Sequence, residues 1–217
     1  MLAHALVAPP CQVAGGTVDS LLDILRDDVN LAVWQRQCSA QIQTFATAVL
    51  DSGMVLAETF TWSRNEKGDD DDVRLPGLLG NAQQMPGHAE FVSDVAYLTS
   101  LFACLVDARS VGIRLRTLDK PMCPRWHVDK VPVRLITSYA GPGSEWLEEQ
   151  YSPREHLGGP AVDPYSDQGA AQVMACGEVA LMKGERWQGN EGRGLVHRSP
   201  ALSAGQRRLI LTLDWLD

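Results

Sequence analysis

Three residues of this chain have the types and spacing of a metal site. His127 and Asp129 stand two apart in CPRWHVDKVPVRLITSY, directly before a β-rich run. On a strand, residues two apart project from one face, so an imidazole and a carboxylate would stand side by side. Such a pair makes two corners of an octahedral site. His197, in GLVHRSP just before the last β-rich segment and 68 positions after Asp129, is the natural third corner. Two histidines and one carboxylate leave the opposite positions open, an arrangement suited to non-haem Fe(II) oxygen chemistry. Zinc accepts the same donors.

The order H-x-D, a long insertion, a second His and then Arg on the following strand resembles the 2-oxoglutarate- and Fe(II)-dependent dioxygenases. The resemblance covers about residues 111 to 217. At finer grain, WHVD, SYAGPGSEWL, KGERW and HRSP resemble an uncharacterised bacterial family of unknown function. The superfamily resemblance implies a double-stranded β-helix (a cupin-like jelly roll) in which His127, Asp129 and His197 are both the Fe(II) ligands and the catalytic centre. It also implies 2-oxoglutarate as cosubstrate, hydroxylation of a C–H bond, and an Arg about ten residues beyond the second His that grips the distal carboxylate. Arg207 and Arg208 lie ten and eleven residues beyond His197. Alternation separates them: Arg208 shares a face with Ile210, Thr212 and Asp214, and Arg207 shares one with Leu209, Leu211 and Leu213. The polar face suits a carboxylate pocket, so Arg208 is the choice and Arg207 the fallback. Thr137 and Tyr139 share a face of the strand after the H-x-D and are candidate hydrogen-bond donors to the same cosubstrate.

The elements that must hold these residues divide near position 110. Residues 1–110 read as a mainly helical support, and 111–217 as the metal-binding jelly-roll core of one integrated α+β domain. In the first part, Asp19 is placed to cap SLLDILRDD, and Ser39 to cap a run with Ile42, Phe45, Ala46 and Val49 at helical spacing. Residues 30–35 suggest a short strand. Residues 87–108 form an amphipathic helix with Phe91, Val95, Leu98, Phe102 and Leu105 on one stripe, expected to pack on a sheet. After 110 the period switches towards two: VGIRLRTL, VRLITSY, EVALMKG and RRLILTLDW are strands separated by Gly/Pro turns. Short strands in this pattern suggest a sandwich or barrel and not βαβ units. Residues 64–72 and 152–172 read as loops.

Bulk properties narrow the function. A net charge of −8 and a pI near 5.1 argue against a general nucleic-acid binder, because phosphate neutralisation needs clustered cations. Five scattered cysteines, none in a Cys-x-x-Cys pair, form neither a disulfide framework nor a zinc knuckle. They read as small buried residues of a reducing, cytoplasmic compartment, and no membrane-spanning stretch is evident. The run Asp69–Asp72 lacks the spaced ligands of a calcium loop. AGPGSEW has no G-K-[ST] and reads as a tight turn. Cys123 lies four before His127 and marks the strand entrance, and Ser199 has no nucleophile pattern around it. His4, His88 and His156 have no partner spacing and are expected at the surface. Trp126, Trp146 and Trp187 flank the motifs as mouth or core, and Arg116 and Lys183 read as exposed strand positions open to an anion. Two other functions fit the residues: a non-catalytic Zn- or Fe-binding protein of metal homeostasis on the same fold, or a metal-free ligand-binding jelly roll.

Overall fold

A computed structural model describes residues 8–65, 73–152, 154–157 and 170–216. His4, the run Asp69–Asp72 and most of the 152–172 loop lie outside the described residues. Among the described residues, ten strands and two α-helices make an α+β fold. The strands are β1 (Cys11–Gly15), β2 (Val29–Trp34), β3 (Ala57–Ser63), β4 (Ser110–Leu118), β5 (Val133–Ala140), β6 (Glu145–Leu147), β7 (Ala171–Val173), β8 (Val179–Lys183), β9 (His197–Arg198) and β10 (Arg208–Trp215). The helices are α1 (Ala40–Asp51) and α2 (His88–Leu105). None is long and apolar enough to cross a membrane.

Seven strands form one sheet in the order β1-β2-β8-β5-β10-β4-β3, antiparallel except for β1 with β2. A second, three-stranded sheet runs β7-β6-β9. The two faces of the large sheet have different covers. Leu135 and Tyr139 of β5 and Leu209, Leu211 and Leu213 of β10 pack in one core with Phe45, Val49, Phe91, Val95 and Phe102 of the helices. Ile136, Met182 and Ile210 face the other way, into a smaller apolar layer with Leu31, Leu195 and Trp146. Strands buried on both faces read as near-continuous apolar runs, which is why β8 and β10 are so Val/Leu/Ile-rich.

The α1 stripe of Ile42, Phe45, Ala46 and Val49 is buried, and Ser39 Oγ accepts the Ile42 N–H at 3.4 Å as the expected cap. The α2 stripe of Phe91, Val95, Leu98 and Phe102 is buried too, against the sheet. Residues 30–35 correspond to β2. Several expectations need correction. The segment before 110 is more than a helical support, because β1, β2 and β3 supply three of the seven strands of the large sheet. In β3, Thr59 and Thr61 are exposed while Glu58, Phe60 and Trp62 are half-buried, and the Glu58 carboxylate accepts the Leu79 N–H. This edge strand keeps a polar outer face, so its apolar signal is thin. SLLDILRDD forms a 3-10 helix, Val18–Leu25, with Thr17 at its N-terminal boundary and Asp19 inside its first turn. His88 is half-buried, edge-on to Phe45, with Nε2 3.3 Å from the Leu78 carbonyl. Of the cysteines only Cys38 is buried, while Cys104, Cys123 and Cys176 are exposed.

Phe45 is fully buried, with ring centroids 4.8 Å from Phe91, which in turn stands 4.4 Å from Tyr139 of the sheet. Phe45→Ala opens a cavity in this helix-to-sheet stack. Denaturant titration should show a loss of about 3–5 kcal/mol.

Candidate metal centre

The site starts from a backbone contact. His127 N–H donates to the His197 carbonyl at 3.1 Å, and His197 N–H returns a bond to His127 at 3.0 Å. This antiparallel bridge sets the two imidazoles side by side, with ring centroids 4.4 Å apart. It extends the small sheet beyond β9, so the two histidines meet although seventy residues separate them. Asp129 follows two residues after His127 and turns to the same place. Its Oδ2 lies 3.5 Å from His197 Nε2, and its Oδ1 lies 3.8 Å from His127 Nε2. One donor atom from each of the three residues falls within 4.8 Å of the others.

Both rings are oriented the same way. His127 Nδ1 lies 2.8 Å from the Arg125 carbonyl, and His197 Nδ1 lies 3.1 Å from the Leu195 carbonyl. A carbonyl only accepts, so each Nδ1 carries the proton and each Nε2 offers a lone pair towards Asp129. Cis donors around an ion with bonds near 2.1 Å stand about 3 Å apart, so a small closing movement completes the set. His197 is buried, and burial above all pushes its imidazole down to about 4, with Asp129 acting in the opposite direction. It is therefore neutral near pH 7, the state a ligand needs. Asp129 Oδ2 also accepts from Arg134 Nη1, at 2.6 Å.

Arg208 and Arg207 separate as alternation requires. Arg207 points to the helical side, where Nη1 donates to the Leu50 carbonyl at 2.8 Å and Nη2 to the Met54 carbonyl at 2.6 Å. These carbonyls lie at the end of α1 and just beyond it, so Arg207 ties down the helix terminus. Arg208 points to the other face and is 1% exposed. Its Nη2 donates to Ser138 Oγ at 2.9 Å and to Ser144 Oγ at 3.2 Å. Its Nε and Nη1 are buried with no partner among the described residues. Burial draws its pKa down to about 10, which leaves it charged at neutral pH. A buried guanidinium with two unmet donors, and with no carboxylate beside it among the described residues, is able to pair with an anion.

Thr137 and Tyr139 do not join this site. Tyr139 Oη donates to Asp94 Oδ2 at 2.6 Å and its ring stacks on Phe91, under the helices. Thr137 pairs with Leu211 and Val179, which face the same helical core. The residues of β5 on the site face are Arg134, Ile136 and Ser138. The segment holding His127 and Asp129 pairs with the small sheet and β5 with the large one, so alternation does not carry across Lys130–Pro132. Lys183 is buried and donates to the Arg26 carbonyl at 2.6 Å, so it is not an exposed strand position. Arg116 donates to Thr59 Oγ1 at 2.9 Å and to the Glu58 carbonyl. Trp126 is buried under Arg198, whose guanidinium carbon stands 4.2 Å from the ring centroid. Trp146 packs between the sheets and Trp187 on the helical side. Cys123 is exposed and pairs backbone and Ser199 groups, outside the triad.

Ser138, Ser144, Arg134 and Asp214 are the residues that sequence reasoning missed. SYAGPGSEW carries two of them, and its turn is moulded on Arg208. Gly141 adopts φ +77°, and a Cβ there would fall 2.2 Å from the Arg207 carbonyl oxygen and 2.9 Å from Arg208 Cβ. Only glycine lets this turn close over the arginine.

A family model described as "Protein of unknown function (DUF1826)" matches residues 15–214. The chain belongs to that family. No curated protein matches the DUF1826 chain significantly. Solved structures similar to it include a prolyl-4-hydroxylase from Pseudomonas putida, at 11% identity and TM-score 0.46, covering 92% of this chain and 98% of that one. Another is dioxygenase for auxin oxidation 1 from Arabidopsis thaliana in complex with 2-oxoglutarate, at 10% identity and TM-score 0.49, covering 96% and 92%. A third is HygX from Streptomyces hygroscopicus with nickel and 2-oxoglutarate bound, at 12% identity and TM-score 0.43, covering 91% and 86%. At these values, any functional reading of the DUF1826 chain stands on its own side chains.

Two measurements on metal-free, ligand-free protein test this electrostatic description. An unfolded histidine titrates near 6.5, so between there and about 4 the unfolded chain binds a proton that folded His197 refuses. Stability should therefore fall as pH drops from about 6.5 towards 4, by up to about 1.4 kcal/mol per pH unit. His197→Gln should flatten that part of a denaturant-derived stability profile. Replacing Arg208 with Met removes a buried charge that lacks a counter-ion, and should stabilise the protein by about 1–3 kcal/mol in thermal melts. Destabilisation by Arg208→Met would show that its two unmet donors cost nothing.

Proposed function

We propose that this chain is a non-haem Fe(II)- and 2-oxoglutarate-dependent oxygenase that hydroxylates its substrate, on a double-stranded β-helix. The order of the strands supports that fold. From residue 110 the chain alternates between layers: β4 in the large sheet, the His127 segment against the small one, β5 in the large, β6 and β7 in the small, β8 in the large, β9 in the small and β10 in the large. Segment 111–217 carries every proposed site residue, and 1–110 supports it from the helical face. In this reading His127, Asp129 and His197 hold the metal, with Nε2 of each imidazole as donor. The donor set fits Fe(II), and fits zinc nearly as well.

The observation that carries the cosubstrate is Arg208. Its Nε–H and Nη1–H are unmet among the described residues, which leaves a buried cation with donors to spare for a carboxylate. Along the site face of β5, Arg134 meets Asp129 and Ser138 meets Arg208. Those two positions are four residues apart, about 13 Å of strand. This suits a five-carbon keto-diacid anchored by the metal at one end and by Arg208, Ser138 and Ser144 at the other. Ile136, Ile210, Met182 and Leu195 supply an apolar lining between the sheets, which keeps water from the span between the anchors. A bound Fe(II) would supply oxygen activation, coupling the oxidative decarboxylation of 2-oxoglutarate to succinate and carbon dioxide with insertion of one oxygen atom into a substrate C–H bond. The protein contributes orientation and shelter. A protein that only stores or senses a metal has no use for a buried arginine with two donors unmet among the described residues, so Arg208 favours the oxygenase over that alternative.

Adding Fe(II) and 2-oxoglutarate under anaerobic conditions should give a weak visible charge-transfer band. His127→Ala should abolish it. Arg208→Met should leave the metal bound but weaken 2-oxoglutarate by roughly 30- to 150-fold, the loss expected for about 2–3 kcal/mol of charged hydrogen bonding. A band that persists in His127→Ala, or 2-oxoglutarate affinity untouched in Arg208→Met, would sink the assignment.

A further inference from the structure

We propose that the cleft lined by Trp187 and Trp215 is a ligand site separate from the metal centre, and that it takes a small monoanionic aromatic acid. The inference needs no metal and stands apart from the oxygenase reading.

The run KGERW, 183–187, opens a loop that reaches Arg193 and is closed on itself. Asn190 N–H donates to the Trp187 carbonyl at 2.9 Å, and Arg193 N–H donates to the Asn190 carbonyl at 2.9 Å. The buried Asn190 side chain donates to the Gly184 carbonyl at 3.1 Å, and Glu185 Oε2 accepts the Gly192 N–H at 3.0 Å. The start of the loop is pinned from outside, since Glu185 N–H donates to the Asp129 carbonyl at 2.9 Å. A Cβ on Gly184 would fall 2.2 Å from the Val131 carbonyl oxygen, so glycine is what permits that approach. Arg186, Trp187 and Arg193 are therefore presented by a backbone set before any ligand arrives.

With Asp27, Pro132 and Trp215 they line a cleft of about 830 Å³, within the usual range of small-molecule sites. Trp187 and Trp215 stand edge-to-face with ring centroids 6.4 Å apart, on the helical side of the large sheet. Trp215 ends the strand that Arg208 begins, and their odd spacing sends the two side chains to opposite faces. The cations of the cleft are largely unspent. Arg186 is exposed and makes no hydrogen bond or ion pair among the described residues. Arg193 uses Nη2 on the Ala8 carbonyl, at 3.0 Å. Against the two guanidinium groups stands one carboxylate, Asp27, so the lining is net positive in a chain whose own charge is −8. Guanidinium groups pair with carboxylates, and indoles pack against flat rings. A flat ring that carries one negative group meets both demands, whereas a bare anion or a neutral ring meets one.

Equilibrium dialysis of the full chain against 2-naphthoate tests the site. Wild type should take up a single equivalent. It should hold 2-naphthylmethanol and cyclohexanecarboxylate about tenfold more weakly or worse, since each lacks one half of the recognition. Arg186→Gln/Arg193→Gln should weaken 2-naphthoate by about tenfold or more. Arg208→Met should bind it as wild type does. If the double variant does not melt cooperatively, Arg186→Gln, a change at an exposed side chain, takes its place with a loss of about threefold or more. The proposal is overturned if wild type shows no saturable uptake, if either control compound is held as tightly as 2-naphthoate, or if the arginine variant keeps wild-type affinity. Loss of binding in Arg208→Met overturns it too, because the probe would then sit on the other face of the sheet.

Discussion

The site depends on one pair of backbone hydrogen bonds, those between His127 and His197. Every other feature of the triad follows from that bridge. It brings two distant segments into register, and register fixes which side chains are neighbours on a pleated surface. It also places both imidazoles where their Nδ1 atoms meet carbonyls two residues back on their own chains, at Arg125 and Leu195. The same local geometry thus arises twice, and it directs both Nε2 lone pairs inwards. Asp129 needs no further device to join them than its place two residues along.

Charge is handled in two opposite ways on one face of the large sheet. Around Asp129 it is balanced: Arg134 and Arg114 close on Asp214 and Asp129 in a chain of short ion pairs. Around Arg208 it is left open, with two hydroxyls but no carboxylate among the described residues. Burying a lone cation costs several kcal/mol unless something compensates it. The polypeptide has the means to compensate, since it does so a few residues away at Asp214. Leaving Arg208 unmet is therefore a property of the site and not a shortage of acidic side chains.

Much of this was legible in the sequence, for identifiable reasons. His127 and Asp129 could be paired because residues two apart share a face of an extended chain, and His197 was singled out by its place just before the last β-rich segment. Arg208 could be told from Arg207 because β10 is long and regular, so alternation holds from Arg207 to Trp215. The same rule failed for Thr137 and Tyr139. There it gives only a shared face of β5, and the phase relative to the His127 segment is lost across Lys130–Pro132, where the chain changes sheets. The strands β1 and β3 escaped notice because β1 lies under a small, glycine-ended sequence and β3 keeps threonines outward at a sheet edge. Ser138, Ser144 and Asp214 carried no signal of their own: a serine or aspartate gains its role here from a cross-strand neighbour that only the register identifies.

Adjacent arginines at the start of β10 show how the two halves of the chain are coupled. Arg207 grips the carbonyls of Leu50 and Met54 at and beyond the end of α1, while Arg208 turns into the proposed carboxylate pocket. Backbone geometry forces neighbours on a strand to opposite faces, so fixing one side chain fixes the other. Gly141 closes over both, its α-carbon set against the Arg207 carbonyl and the Arg208 Cβ. The helical layer is thus more than a cover for an apolar sheet face. By anchoring Arg207 it sets the rotation of β10 at the point where Arg208 presents its unmet donors, and a displacement of α1 would reach the pocket through one peptide unit.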